Sequence, residues 1–159
     1  MTRLSTVALI ALFSVVLATA AAAQESIVRV YVSTPSAAGE FVDKASKMRA
    51  ETVATLVDRL KSKKKKIAVI DSLEAADVAV ELTSVEIVDG AIRTTPDIYG
   101  VKSEAQKVYR GVATLRVGDY TTEFTQQRMF TALVAAFLAD DVEKWVKDNR
   151  DQIMARRKP

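Results

Sequence analysis

Neither His nor Cys occurs anywhere in the chain, and that removes much of the chemistry a small protein commonly carries. Imidazole bases and most transition-metal sites need His, while disulfides, zinc–thiolate sites and iron–sulfur clusters need Cys. Any catalysis must rest on carboxylates, Lys, Ser, Thr or Tyr. Asp140-Asp141 is the densest acidic spot, but neighbours on a helix diverge by about 100° and do not face each other. A solvated helix face explains the pair better than a site does. Asp71 and Ser72, with Asp77 nearby, offer oxygens to a cation at a strand end, yet capping of a short helical turn accounts for them without a ligand. No glycine-rich phosphate loop, nucleophile elbow, metalloprotease helix or EF-hand loop is written in the chain. Neither a cofactor nor a metal is expected. The enzymatic alternative is a hydrolase of envelope glycans, which needs two carboxyl groups about 5–9.5 Å apart in a cleft.

Two stretches have the residue types for binding. Lys61 and the run Lys63, Lys64, Lys65 and Lys66 concentrate ammonium groups in a helix-to-strand turn, where they suit the phosphates of anionic lipid or another polyanion. No aromatic residues are interleaved to stack on bases, which disfavours nucleic acid. The second stretch, 89–106, mixes apolar and cationic side chains: Ile92, Arg93, Ile98, Tyr99 and Lys102. That mixture can grip a protein partner, or can simply pack over a sheet edge. Trp145 sits on a helical apolar stripe and reads as core rather than as a ligand platform.

The address comes from the amino end. Arg3 gives a positive start, Leu4 to Leu17 has no charge, and Ala18 to Ala23 is a run of small residues. This is the build of a signal peptide cleaved after Ala23, with Gln24 as the first mature residue. No Cys follows for a lipid and no arginine pair marks twin-arginine export. The mature protein then lies in the periplasm or outside the cell, with no membrane span left after cleavage. It keeps 136 of 159 residues (159 − 23) and a balance of 22 basic against 20 acidic side chains, since Arg3 is the only charge lost. Such a length is one domain, and such a charge steers nothing by itself. With 49% hydrophobic residues, five Gly and three Pro, the chain is neither disordered nor fibrous.

The elements that must position these residues follow from periodicity. Ile27 to Ser33 is a strand stopped by Thr34-Pro35-Ser36, with a loop to Asp43. From Lys44, apolar residues at 45, 48, 53, 56, 57 and 60 recur at helical spacing. Ile67 to Ile70 is a short apolar run that reads as a strand covered on both faces. Strand, helix, strand predicts a right-handed crossover between parallel strands. Asp77 opens a long strand whose apolar parity changes after Leu82, which predicts a bulge near Thr83-Ser84 or burial on both sides. The stretch 89–106 carries Gly90, Pro96 and Gly100 without a period, and so reads as a long loop. Gly118-Asp119 then supplies a two-residue hairpin turn, predicting the pairs Val117 with Tyr120, Leu115 with Thr122 and Ala113 with Phe124. Phe130, Leu133, Val134, Phe137, Leu138, Val142, Trp145, Val146 and Ile153 trace a closing amphipathic helix, and 156–159 is a frayed polar end.

The segments Ala75-Ala76-Asp77-Val78, Val117-Gly118-Asp119-Tyr120 and Glu143 to Arg150 give the chain a pattern that resembles uncharacterised exported bacterial α/β proteins. More distantly it is similar to the small amino-terminal α/β domains of the Tol propeller protein and the curli-secretion lipoprotein. The resemblance implies a periplasmic interaction module rather than an enzyme, although this chain has no Cys to carry the lipid of the curli protein. The expected architecture is therefore a single α/β (α+β) domain over 24–159. Its single mixed sheet begins with a βαβ unit and continues into a hairpin, with the last helix packed on it. The expected function is a non-catalytic binding or assembly module of the cell envelope, its partner an envelope protein.

Overall fold

The computed structural model describes residues 27–35, 44–63 and 66–157. The proposed signal peptide, the loop 36–43, Lys64, Lys65 and the last two residues lie outside the described residues. In chain order the elements are β1 (Val28–Ser33), α1 (Lys44–Ser62), β2 (Ile67–Ile70), β3 (Val78–Asp97), β4 (Gly100–Val117), β5 (Tyr120–Arg128), α2 (Thr131–Asp148) and α3 (Arg150–Ala155). The strands form one mixed sheet in the order β2-β1-β3-β4-β5. β1 runs parallel to both β2 and β3, and β3, β4 and β5 are successively antiparallel. This is an α+β fold with the expected βαβ start.

One face of the sheet is buried. Val28, Val30, Val78, Val80, Leu82, Ala113, Leu115 and Val117 alternate along their strands and join Leu56 and Leu60 of α1 and Val134, Leu138 and Val142 of α2 in a single core. The opposite parity carries Arg29, Glu81, Arg116 and Glu123. Alternation of this kind marks a sheet with one face packed and one face wet. Among the described residues Thr52 is the one polar residue in the core, and its hydroxyl donates back to the Met48 carbonyl at 2.7 Å. β2 differs from its expected double coverage. It is an edge strand, and only Ile67 is buried while Ala68, Val69 and Ile70 are half-buried.

The register at the Gly118-Asp119 turn is the predicted one, with Val117 opposite Tyr120, Leu115 opposite Thr122 and Ala113 opposite Phe124. Gly118 takes φ +57°, the left-handed conformation that such a turn requires and L-residues avoid. The bulge is also where the parity change placed it: Leu82 faces Ala113 and Ser84 faces Val112, leaving Thr83 as the extra residue. Its hydroxyl donates to the Val112 carbonyl at 3.0 Å. The bulge returns Val85 to the buried face, where it is 2% exposed.

Further expectations need correction. Residues 89–106 are not a loop. They are the outer half of a long β3–β4 hairpin, paired from Asp89 with Lys107 out to Asp97 with Gly100. A second register shift between Asp89 and Ile92 breaks the period that would have revealed the strand. Residues 71–75 form turns rather than a helical turn, so Asp71 and Ser72 cap nothing. The closing helix is broken at Asn149, whose backbone and side-chain amides both donate to the Trp145 carbonyl. The break lets α3 bury Ile153.

The closing stripe is also rotated. Phe130, Leu133 and Phe137 are 61%, 42% and 41% exposed, whereas Ala135 and Ala139 are fully buried. Gly111 explains how α2 sits so close to the sheet: a Cβ there would lie 2.4 Å from Val134 Cγ1. Gly111→Ala should destabilise the protein by about 1–3 kcal/mol through overpacking. Gly118→Ala, whose Cβ meets nothing, should cost about 1 kcal/mol through its backbone alone. Urea midpoints of the two variants check both figures.

Candidate functional site

The sheet presents candidate surfaces at its two ends. At one end the hairpin outgrows its neighbours. β1 pairs with β3 only as far as Glu81, and β5 pairs with β4 only from Tyr109 inward. Beyond Asp89 and Lys107 the two strands form a ribbon flanked by no other described strand, reaching about 25–30 Å at about 3.3 Å per residue. The register sorts its side chains. Ile92 with Ala105, Thr94 with Ser103 and Pro96 with Val101 share one face, and Arg93 with Glu104 and Thr95 with Lys102 share the other. The first face has no charge, and a Thr94–Ser103 hydroxyl contact of 3.3 Å crosses it. Counting outward from Leu115 and Ala113 on β4, it has the parity of the buried face of the sheet, from which the Asp89–Lys107 ion pair separates it. On the second face Lys102 is paired with Glu104. At the tip, Ile98 and Tyr99 are 87% and 93% exposed. Arg93, Tyr99 and Lys102 are thus brought onto one projecting arm.

The lysine turn lies at the other end and is partly neutralised. Lys63 Nζ is 2.8 Å from Asp140 Oδ1 and also bonds Glu143, and Lys66 Nζ is 3.2 Å from the same Glu143. Hydrogen bonds donated to Asp140 and Glu143 raise the Lys63 pKa, and those that Glu143 accepts, first from Lys63 and then from Lys66, lower its own against a burial penalty. These pairs tie the α1–β2 turn to α2. Asp141, the neighbour of Asp140, accepts from Gln126 Nε2 at 2.6 Å. The acidic pair therefore points in two directions and serves packing.

Sequence reasoning missed the cluster around Asp77. Its side chain is 2% exposed and receives two guanidinium groups. Arg29 Nη2 lies 2.9 Å from Oδ1 and the Arg29 backbone amide 2.7 Å from Oδ2, while Arg157 Nε reaches Oδ1 at 2.9 Å and Arg157 Nη2 bonds Oδ2. Arg157 Nη2 also donates to the Ile27 carbonyl at 2.7 Å. Residues 156 and 157 are therefore docked, not frayed. The available signal was a charge in the wrong place: Arg29 inside an apolar strand, and Asp77 immediately before one. Burial pushes the Asp77 carboxyl up, but hydrogen bonds from Arg157 and Arg29 outweigh it and hold the pKa at about 2. A carboxyl held ionised in this way is the opposite of the protonated acid that glycan hydrolysis needs. Among the described residues no group of three or more Asp and Glu side chains is arranged to hold a metal ion, and no helix is long and apolar enough to cross a membrane.

The carboxyl titrates at about 2 in the fold against 3.8 for a free side chain. Its contribution is present above pH ~4 and is lost as the pH falls through ~2, about 2 kcal/mol in all at 1.36 kcal/mol per unit. Asp77→Asn, which takes the carboxylate from two partly exposed guanidinium groups, should cost about 2–3 kcal/mol at neutral pH. It should also flatten the acid limb of a plot of unfolding free energy against pH.

No protein-family model matches the sequence, and no curated protein matches it significantly. Among solved structures the chain is similar to the rare lipoprotein B from Shewanella oneidensis, at 9% identity and a TM-score of 0.34, over 80% of this chain and 91% of that one. At that level the likeness carries no argument about function.

Proposed function

We propose that this chain is a non-catalytic binding or assembly module of the bacterial cell envelope, and that it holds its protein partner with the β3–β4 arm. The amphipathic ribbon carries this reading. A two-stranded ribbon is marginal in water by itself, and its free edges and an Ile-Tyr tip invite another chain. Folding the body does not require it, because the core closes inward of Val88 and Val108. A contact surface explains such an extension better than stability does. The leader-like residues 1–23 supply the export half of the proposal.

Two measurements test it. Protein recovered from the cell envelope should begin at Gln24 by mass spectrometry. A photo-crosslinking residue in place of Tyr99 should give one discrete protein adduct in intact cells. The protein in that adduct should also co-purify with the parent chain, and should no longer do so when residues 90–106 are replaced by an Asn-Gly turn joining Asp89 to Lys107, a change that leaves the unfolding free energy of the body within about 0.5 kcal/mol. Absence of an adduct, or the same adduct from a probe at the exposed Glu123 on β5, would overturn the role of the arm. An uncleaved or cytoplasmic product would overturn the envelope assignment.

A further inference from the structure

At the end of the sheet away from the arm, a cleft of about 450 Å³ opens between the start of β3, the Gly118 turn and residues 153–157. Arg29, Arg156 and Arg157 line it, against Asp77 and Glu74. Asp77 is buried and already balanced by two guanidinium groups, and Glu74 stands exposed on the rim. Arg156 makes no ion pair among the described residues; its Nη1 donates to the Val117 carbonyl at 3.3 Å. Arg156 thus adds a guanidinium charge beside the Asp77 cluster that Asp77 does not bond. Side chains that are already hydrogen-bonded to the frame hold those charges in place.

A smaller hollow of about 90 Å³ adjoins the cleft and shares Val117, Ile153 and Arg156 with it. Its remaining walls include Trp145 and Tyr120, stacked with ring centroids 5.7 Å apart, and the amides of Asn149 and Gln152. Arg156 therefore stands where an aromatic wall meets a cationic floor. Pockets of a few hundred Å³, apolar with a few convergent polar groups, are the usual form of small-ligand sites. Guanidinium donors in a fixed fork are the usual partners of carboxylate and phosphate.

We propose that this groove binds a small organic anion, a ring bearing a carboxylate or phosphate, with the anion on Arg156 and Arg29 and the ring against Trp145. The site is independent of the partner-binding arm, at the opposite end of the sheet. Neither the cleavage of a bond nor a bound metal is part of the proposal.

Trp145 is the single tryptophan of the chain, so its fluorescence reports the groove directly. The purified protein is titrated with phenyl phosphate, with benzoate and with the neutral benzyl alcohol at constant ionic strength. A saturable change with at least one anion and none with the alcohol is expected; the tighter of the two anions identifies phosphate or carboxylate as the recognised group. Arg156→Gln alters an exposed side chain and should leave the melting temperature unchanged while weakening the anion about tenfold or more. Lys102→Gln, on the arm, should bind as the parent does. An equal response to benzyl alcohol, unchanged binding by Arg156→Gln, or no saturable change at about 10 mM ligand would overturn the site. A failed crosslink from Tyr99 would leave it standing.

Discussion

Two helices side by side, each about 10 Å wide, cover a band of about four strands at about 4.8 Å per strand. The described residues form five strands and one such helical layer, and much of the protein's character follows from that mismatch. Only one face of the sheet is dry, so charges sit on the other. Both edge strands are incompletely covered, which leaves β2 half-buried and puts Phe130, Leu133 and Phe137 on the open flank of α2. Arg128 partly shields that flank, its guanidinium lying 3.8 Å above the Phe137 ring. The β3–β4 hairpin runs out from under the layer altogether, and beyond the Asp89–Lys107 ion pair one of its faces is free of charge.

The opposite end of the sheet is closed by charge rather than by oil. Asp77 joins the start of β3, the start of β1 and the chain terminus through Arg29 and Arg157. A buried carboxylate is tolerable only when its hydrogen-bonding capacity is filled, and here five donor contacts fill it. The same arrangement that secures the parallel β1–β3 register leaves surplus guanidinium charge along the cleft. Structure and recognition chemistry therefore share one set of residues at that end, while the arm separates them at the other.

Much of this could be read in the residues. The βαβ start and three pairs around Gly118 followed from parity and turn chemistry, and the Thr83 bulge was one of the two readings the parity change allowed, because those signals act over a few neighbours in the chain. The arm was misread for an equally local reason. Gly90, Pro96 and Gly100 punctuate it like a loop, and the shift between Asp89 and Ile92 changes its parity midway. In a two-stranded ribbon about half the amides face outward, so a Pro at such a position removes no ladder bond. Arg93, Tyr99 and Lys102 were recognised as a group, but their setting on an amphipathic ribbon came from pairing across the hairpin.

By itself the sequence determined the class of chemistry available, the leader-like start, and the βαβ unit and Gly118 hairpin with their apolar faces, since each depends on residue type and on spacing within one segment. Only the tertiary structure decided which charges meet. Lys63 with Asp140 and Glu143, and Arg29 with Asp77 and Arg157, lie 48 to 130 residues apart counting the Arg157 contact to Ile27. Electrostatic partnership depends on distance in space and on burial, neither of which a local pattern encodes. The orientation of α2 was settled in the same way, by the missing side chain of Gly111 beneath Val134, a contact between residues whose relation exists only once the sheet has formed.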